Sequence, residues 1–306
     1  MPMRACYDLG HLQQARGLLS AALATYRRGL AVVSPPGQPR LPAAGLAEVG
    51  MAEVLYERDE LGHSLEHATA GVNLCRRLAF APPLASGLVT LARIRQAQGD
   101  SAGALEAIGE AERILPGPRA VDLLNPVPAL RARLALATGE VAEAASWVKA
   151  HGLAPGDQPS YAQERAYLVL VRVLLAGRAP DRALRLLERL HDLAVSQGRV
   201  GSVIETQALQ ALALSGAGDE AAALGTLAET LALGAPEGYL RVFVDEGPPM
   251  AVLFRNLLGR REQVAAAGAV PGEYLPRLVA AFQQAGAPIF APARRGGVVV
   301  PGLVER

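Results

Sequence analysis

Two short segments carry residue types that could perform chemistry. Gly99-Asp-Ser101-Ala-Gly103 matches the Gly-x-Ser-x-Gly pattern of a serine nucleophile elbow, which requires a preceding strand and a strained turn that exposes the serine. His63 and His67 are four residues apart and could place two imidazoles on one helix face as metal ligands. A helical pattern precedes Gly99, and no third ligand stands at a recognisable spacing from the histidines. We therefore interpret the first match as coincidence and the second as a solvated helix face, and we predict no enzyme activity, metal or other cofactor.

Composition narrows the range of partners. The formal net charge of +1 over 306 residues gives no electrostatic footprint for nucleic acid or for an anionic membrane surface. The most apolar stretch, from Tyr167 to Leu175, carries Arg172 and is far shorter than the roughly 20 residues of a membrane span. Two cysteines, Cys6 and Cys75, form no disulfide framework. We expect a cytoplasmic protein that binds neither nucleic acid nor membrane directly.

The elements that would position any site repeat about every 40 residues. In each repeat a helical pattern of about four turns ends at a marker residue, and a second, Ala-rich helical pattern begins a few residues later. A fixed period of this length is typical of a solenoid, in which stacked helix pairs bury the apolar faces that one pair cannot bury alone. The marker residues are Gly17, Asp59, Gly99, Gly139, Gly177 and Gly218.

We predict an all-α fold, a right-handed superhelix of about six TPR-like helix pairs with C-terminal capping helices. The repeat array covers residues 1–236, the capping helices lie within 237–290, and 291–306 form a flexible tail or linker. The predicted pairs are Leu9–Gly17 with Ser20–Val33, Ala43–Arg58 with Leu61–Ala79, Pro83–Gln98 with Ser101–Leu115, Val121–Thr138 with Val141–His151, Tyr161–Ala176 with Asp181–Gln197, and Val200–Ser215 with Asp219–Leu233; the capping helices are Pro248–Leu258 and Glu273–Gln284.

In such stacks the first helix of each pair lines the inner surface, so its inward-turned polar and aromatic residues, on the face not used for packing on the next repeat, are the best binding candidates. Counting back three and six residues from the markers, and further back in the fifth pair, selects these positions. The candidate groove residues are Glu53, Tyr56, Arg93, Gln96, Arg133, Glu164 and Tyr167. Treated as exposed, Arg93 and Arg133 should be replaceable by alanine with weaker binding and a nearly unchanged melting temperature.

The order of the segments resembles a known family. Helix pairs of about 40 residues lead into Gln158–Arg165, Ser202–Leu212 and Pro236-Glu-Gly-Tyr-Leu-Arg-Val-Phe-Val-Asp-Glu-Gly-Pro-Pro-Met250. Together these are similar to the TPR-like region of MalT-type, ATP-dependent LuxR-family transcriptional regulators, from about Asp8 to Leu258. The last segment is the most specific part of the resemblance.

The resemblance implies a module that receives a signal between an upstream ATPase and a C-terminal helix-turn-helix domain. No P-loop pattern is present, so ATP binding is not carried over to any residue, and neither is DNA binding. The implied function is a sensor that binds a small-molecule inducer or a protein segment and acts through conformational change, with self-association left open. The alternative is a free-standing TPR-like scaffold for protein–protein interaction.

Overall fold

The computed structural model describes residues 3–34, 40–115, 127–260 and 272–287. These residues form helices, turns and bends without a strand, which confirms the predicted all-α class. Short 3₁₀ turns over Tyr161–Gln163 and Ala235–Glu237 precede α9 and α13. The α-helices are α1 (Met3–Ala15), α2 (Leu19–Val33), α3 (Ala44–Glu57), α4 (Leu61–Leu78), α5 (Ala81–Ala97), α6 (Ser101–Ile114), α7 (Val127–Ala137), α8 (Val141–Ala150), α9 (Glu164–Ala176), α10 (Pro180–Ser196), α11 (Val200–Ala217), α12 (Glu220–Gly234), α13 (Arg241–Val244), α14 (Gly247–Leu258) and α15 (Tyr274–Gln284).

Most predicted helix limits agree with the structure to within a few residues. The clearest difference is α1, which begins at Met3 rather than Leu9 because Met3 and Cys6 continue its buried face against Gly29 of α2. The short helix α13 was not predicted as a helix. The first residues of the predicted helix Val121–Thr138 and the predicted tail 291–306 lie outside the described residues.

The turn inside each pair depends on a residue in the left-handed backbone region. Gly17, Gly99, Gly139 and Gly218 all have φ between 79° and 88°, and Asp59 adopts φ 61° although it carries a side chain. In the fifth pair the sequence-based marker is one residue early: Gly177 has φ −79°, and Arg178 takes the left-handed conformation at φ 55°. Helix α9 ends at Ala176, so the second residue after the helix, where most of these turns reverse, is Arg178.

The first helices of the six pairs form a closed ring. Each of α1, α3, α5, α7, α9 and α11 contacts the next, and α11 also contacts α1. Where the ring closes, a Cβ on Gly201 would lie 3.3 Å from the carbonyl oxygen of Gln14. A side chain at this position would meet the Gln14 backbone tightly, so glycine lets the two ends of the array approach closely.

Three apolar cores run around the ring. One contains residues of α1 to α3 together with α11 to α15, and we call this first core the junction. The second lies among α3 to α7 and the third among α7 to α11. The C-terminal helices therefore pack on both the first and the last repeats.

Candidate functional site

A ladder of polar side chains follows the inner helices. Six residues before each left-handed turn residue of the first five pairs stand His11, Glu53, Arg93, Arg133 and Arg172. Neighbouring members of the ladder lie close together at its start, where His11 Nδ1 is 3.6 Å from Glu53 Oε2. We call Arg93, Arg133 and Arg172, which come from α5, α7 and α9, the arginine ladder.

A short segment of the same chain meets the arginine ladder. This segment, residues 241–246, comprises α13 and the acidic pair Asp245–Glu246, and we call it the hub. Glu246 accepts hydrogen bonds from Arg172 Nη2 at 2.5 Å and from Arg172 Nε at 3.1 Å, and Arg133 Nη2 approaches its Oε1 at 3.3 Å. Asp245 Oδ2 lies 3.6 Å from Arg93 and 3.8 Å from Arg133. Two adjacent carboxylates thus connect three successive repeats.

Tyr56 anchors the hub on the second repeat. Its hydroxyl donates a 2.8 Å hydrogen bond to Asp245, and the ring is buried. The guanidinium of Arg93 lies 4.1 Å from the centre of this ring, and that of Arg241 lies 5.3 Å from it. Arg241 also pairs with Asp59 and Asp245. Because both guanidinium groups lie over the ring of a buried tyrosine, the contacts fix the orientation of the hub in addition to pairing its charges.

Two further carboxylates complete the charge balance. Glu57 at the end of α3 accepts a 2.8 Å hydrogen bond from Arg93. Glu205 of α11 accepts one from Arg172 at the same distance and lies 3.6 Å from Arg133. Each guanidinium of the arginine ladder therefore contacts a carboxylate of the hub and one from another repeat, which is the pairing that buried charges require.

Electrostatics keeps these groups charged at neutral pH. Burial would raise the pKa of Glu205, but the charges of Arg172 and Arg133 outweigh it and lower that pKa to about 2. Burial likewise opposes ionisation of Asp245, yet Arg241, Arg133 and Arg93 hold its pKa below the ordinary value. Burial and the nearby Asp245 raise the pKa of Tyr56 to about 12. Groups with such fixed charges hold and orient partners, whereas proton transfer near pH 7 needs a pKa close to 7.

Comparison with known proteins assigns this architecture. The sequence model of the MalT-like TPR region matches residues 2–260. The chain belongs to this family. A search of the curated proteins gave no match. In this MalT-like TPR region, no helix of the described residues combines the length and the apolar character needed to cross a membrane.

The MalT-like TPR region brings only some of the predicted groove residues together. Tyr56, Arg93 and Arg133 meet at the hub, as described above. Glu53 is on the same helix as Tyr56, but it accepts a 3.3 Å hydrogen bond from Gln14 of α1. Gln96 is half-buried one turn after Arg93. Whether any of these residues binds a ligand stays a prediction.

The two candidates from the fifth pair are buried in other contacts. Glu164 accepts a 2.7 Å hydrogen bond from Ser202 and pairs with Arg199 at 2.5 Å. Tyr167 packs in the third core and donates a 3.0 Å hydrogen bond to Asp157. Neither contacts the hub through a described hydrogen bond or ion pair. Both were selected by counting further back in the fifth pair than in the other pairs, so they lie outside the slot that Arg93 and Arg133 share.

Sequence reasoning missed Arg172, Glu205 and the hub itself. With Arg178 as the marker, six residues back is Arg172, so the rule that selected Arg93 and Arg133 also finds the third arginine. A second signal was available, since Arg172 is a lone charge in the most apolar stretch of the chain. Glu205 and the Asp245–Glu246 pair have no signal of this kind, because their partners are distant in sequence.

The remaining chemical motifs occupy ordinary structural positions. Ser101 is the first residue of α6, and the side chain of Asp100 caps this helix by accepting a 2.8 Å hydrogen bond from the Gly103 amide. A helix precedes the turn, so the strand required by a nucleophile elbow is missing there. His67 contacts the buried Glu48 at 2.6 Å, and His63 lies 3.7 Å from Glu60. Among the described residues, no cluster of three or more His, Cys, Asp or Glu side chains could hold a metal ion.

Proposed function

We propose that this chain is a ligand- or protein-binding sensor module of a bacterial LuxR/MalT-type transcriptional regulator. It acts in the cytoplasm, by binding and conformational signalling rather than by catalysis. The observation that carries this proposal is the match to the MalT-like TPR region over residues 2–260. The lowered pKa values of Glu205 and Asp245 support it, because groups that stay charged at neutral pH suit recognition better than proton transfer.

The exposure of the predicted groove residues limits which of them could contact a ligand. The side chains of Arg93 and Arg133 are 23% and 22% exposed, so part of each side chain is open to solvent. Tyr56, Glu164 and Tyr167 are buried and would need a rearrangement before they touched one. A ligand with a carboxylate, phosphate or several hydroxyl groups matches the donor geometry of two arginines one repeat apart. Glu53 and Gln96, both half-buried, remain secondary candidates.

Calorimetric titration of the whole chain tests the proposal. The probes are a panel of sugars, sugar phosphates, dicarboxylates and short acidic peptides. We expect one class to bind saturably and the Arg133→Gln variant to weaken that binding at least about tenfold, as loss of a charged hydrogen bond in a site should. Arg185→Gln, an equal change on the exposed face of α10, is the matched control. Saturable binding that Arg133→Gln leaves unchanged would place the ligand elsewhere.

A genomic comparison separates the sensor from the alternative of a free-standing scaffold. A sensor of this type requires an ATPase-coding and a helix-turn-helix-coding region continuous with, or adjacent to, the gene. Binding of a protein segment without either neighbour would favour the scaffold. Nucleotide hydrolysis or sequence-specific DNA binding by the chain alone would contradict both.

A further inference from the structure

The hub is joined to different parts of the ring by different forces. Its apolar side chains, including Val242, Phe243 and Val244, belong to the junction. Helix α13 accordingly packs on α3, α11, α14 and α15. The inner helices α5, α7 and α9 belong mainly to the other two cores and reach the hub through the long side chains of the arginine ladder.

We propose that the hub is a charge-controlled tether, fixed to the junction by packing and to the middle repeats by ion pairs. A change of charge at Asp245 and Glu246 then releases α5, α7 and α9 from the hub while the junction stays closed. This device concerns how the ring changes shape and needs no assumption about the ligand. One extension rests on the proposed function. An anionic ligand that competes with the hub for Arg93 and Arg133 would also release the middle repeats.

The balance of forces explains why the two attachments respond differently. Within the hub Phe243 is fully buried and Val242 and Val244 are nearly so, so moving the whole hub would expose several apolar groups to water. A buried ion pair contributes little net stability compared with an apolar replacement, since much of its attraction offsets the cost of desolvation. It does, however, fix position, because an unpaired buried charge is unfavourable. Charge thus governs where the middle repeats sit, and packing governs whether the ring is closed.

Each carboxylate of the hub serves more than one repeat, which couples their movements. Glu246 bonds both Arg133 and Arg172, and its side chain is only 7% exposed. Asp245 faces Arg93, Arg133, Tyr56 and Arg241. Loss of either charge therefore changes the environment of two neighbouring repeats at once, so that α5, α7 and α9 should respond together.

Hydrogen–deuterium exchange of the whole chain tests the tether. In the Asp245→Asn/Glu246→Gln variant, which keeps side-chain size, we expect exchange in α5, α7 and α9 to rise at least about tenfold, because local opening follows local stability. Exchange in α11 and α14 should change by less than about twofold, since the apolar contacts of the junction are kept. Glu188→Gln/Asp192→Asn on the exposed side of α10 changes net charge equally and should leave both patterns unchanged.

Two outcomes would overturn the tether. Unchanged exchange in α5, α7 and α9 would mean that the ion pairs do not position these helices. A uniform rise of exchange in all helices would mean that the ion pairs between the hub and the arginine ladder add only to global stability. If the double variant fails to fold, Glu246→Gln alone gives the same test, because Arg172 keeps Glu205 as a partner. Its expected signature is increased exchange in α7 and α9 with α3 and α11 unchanged.

A blocked tripeptide Asp-Glu-Gly, which carries the carboxylates of the hub, separates the tether from its ligand. If this peptide raises exchange in α5, α7 and α9 of the unmodified chain in a saturable way, an anionic ligand can operate the tether. If the double variant has the effect and the peptide does not, the tether stands and an acidic peptide is rejected as the ligand that operates it.

Discussion

The junction and the arginine ladder hold the same hub in two different ways. At the junction, α1 to α3 and α11 to α15 share one apolar core around the hub. Along the ladder, three helices from consecutive repeats contact the hub through guanidinium groups. Apolar burial is strong and non-directional, whereas ion pairs are directional and contribute little net free energy. Ring closure and the position of the repeats that carry α5, α7 and α9 can therefore be altered separately.

The largest expected effect comes from the apolar side of this comparison. Phe243 is fully buried in the junction, and replacing it with alanine should lower the free energy of unfolding by about 3–5 kcal/mol, through lost transfer energy and the cavity left behind. Denaturant unfolding followed by circular dichroism measures the change. Leu105→Ala, at a side chain exposed on α6, should stay within about 0.5 kcal/mol. A loss below about 1 kcal/mol for Phe243→Ala would mean that packing does not fix the hub.

The second prediction concerns the arginine ladder, where the structure changes the stability effect expected from the sequence. Treated as exposed, Arg93 and Arg133 were expected to be replaceable by alanine with a nearly unchanged melting temperature. The structure pairs both with Asp245, whose side chain is only 11% exposed, so Arg93→Ala/Arg133→Ala should lower the free energy of unfolding by about 3 kcal/mol, because Asp245 is left with fewer partners.

Thermal and denaturant unfolding of this variant decide between the two expectations. The matched control, Arg182→Ala/Arg185→Ala, removes two exposed arginines from α10 and should change stability by less than about 1 kcal/mol. If the two double variants melt alike, the ladder arginines behave as surface residues and the sequence-based expectation was right.

Periodicity carried most of the fold and little of the site. The marker residues and the Ala-rich helical patterns predicted six helix pairs, because turn chemistry and apolar spacing are local properties of the chain. Ring closure was not predictable in this way. It depends on the fit of Gly201 against Gln14 and on a core that joins residues of α1 to α3 with residues of α11 to α15.

The residues of the site were likewise predictable only where they follow the repeat. Arg93 and Arg133 were found because they share a slot six residues before the marker, and Tyr56 because it stands three residues before its marker. Their carboxylate partners Asp245 and Glu246 lie after the period ends, where no spacing rule applies. The chemistry of one half of each pair was visible in the sequence, and the pairing was not.

Acid should weaken the ladder more than the junction. The pKa of Glu205 is about 2 in the folded chain, below its usual 4.5, so its ion pairs stabilise the folded state above about pH 4.5 and this contribution is lost as pH falls toward 2. The stability difference between the unmodified chain and Glu205→Gln should therefore shrink by about 2 kcal/mol between pH 6 and pH 3. Asp245, whose pKa is also lowered, is present in both chains, so its own titration changes both stabilities in the same direction and cancels in this difference.

Denaturant unfolding at several pH values between 6 and 3 measures this difference. Glu188→Gln, on the exposed face of α10, should give a difference that stays flat over the same range. A Glu205→Gln difference that grows as pH falls would have the wrong sign for a carboxylate held in its charged form.

The smallest expected effect tests the register that directs Arg172 toward the hub. Arg172 occupies the ladder slot only if Arg178, and not Gly177, is the left-handed turn residue of the fifth pair. Gly139 has φ 86° and open space around its Cβ position, so Gly139→Ala should cost about 1 kcal/mol from backbone strain alone. Gly177, at φ −79°, should accept alanine within about 0.5 kcal/mol. Arg178→Gly, at φ 55°, should raise stability by up to about 1 kcal/mol, because glycine adopts this conformation without steric strain. Unfolding free energies of the three variants measure the order directly. A costly Gly177→Ala with a neutral Arg178→Gly would move the turn back by one residue, and Arg172 would then leave the slot it shares with Arg93 and Arg133.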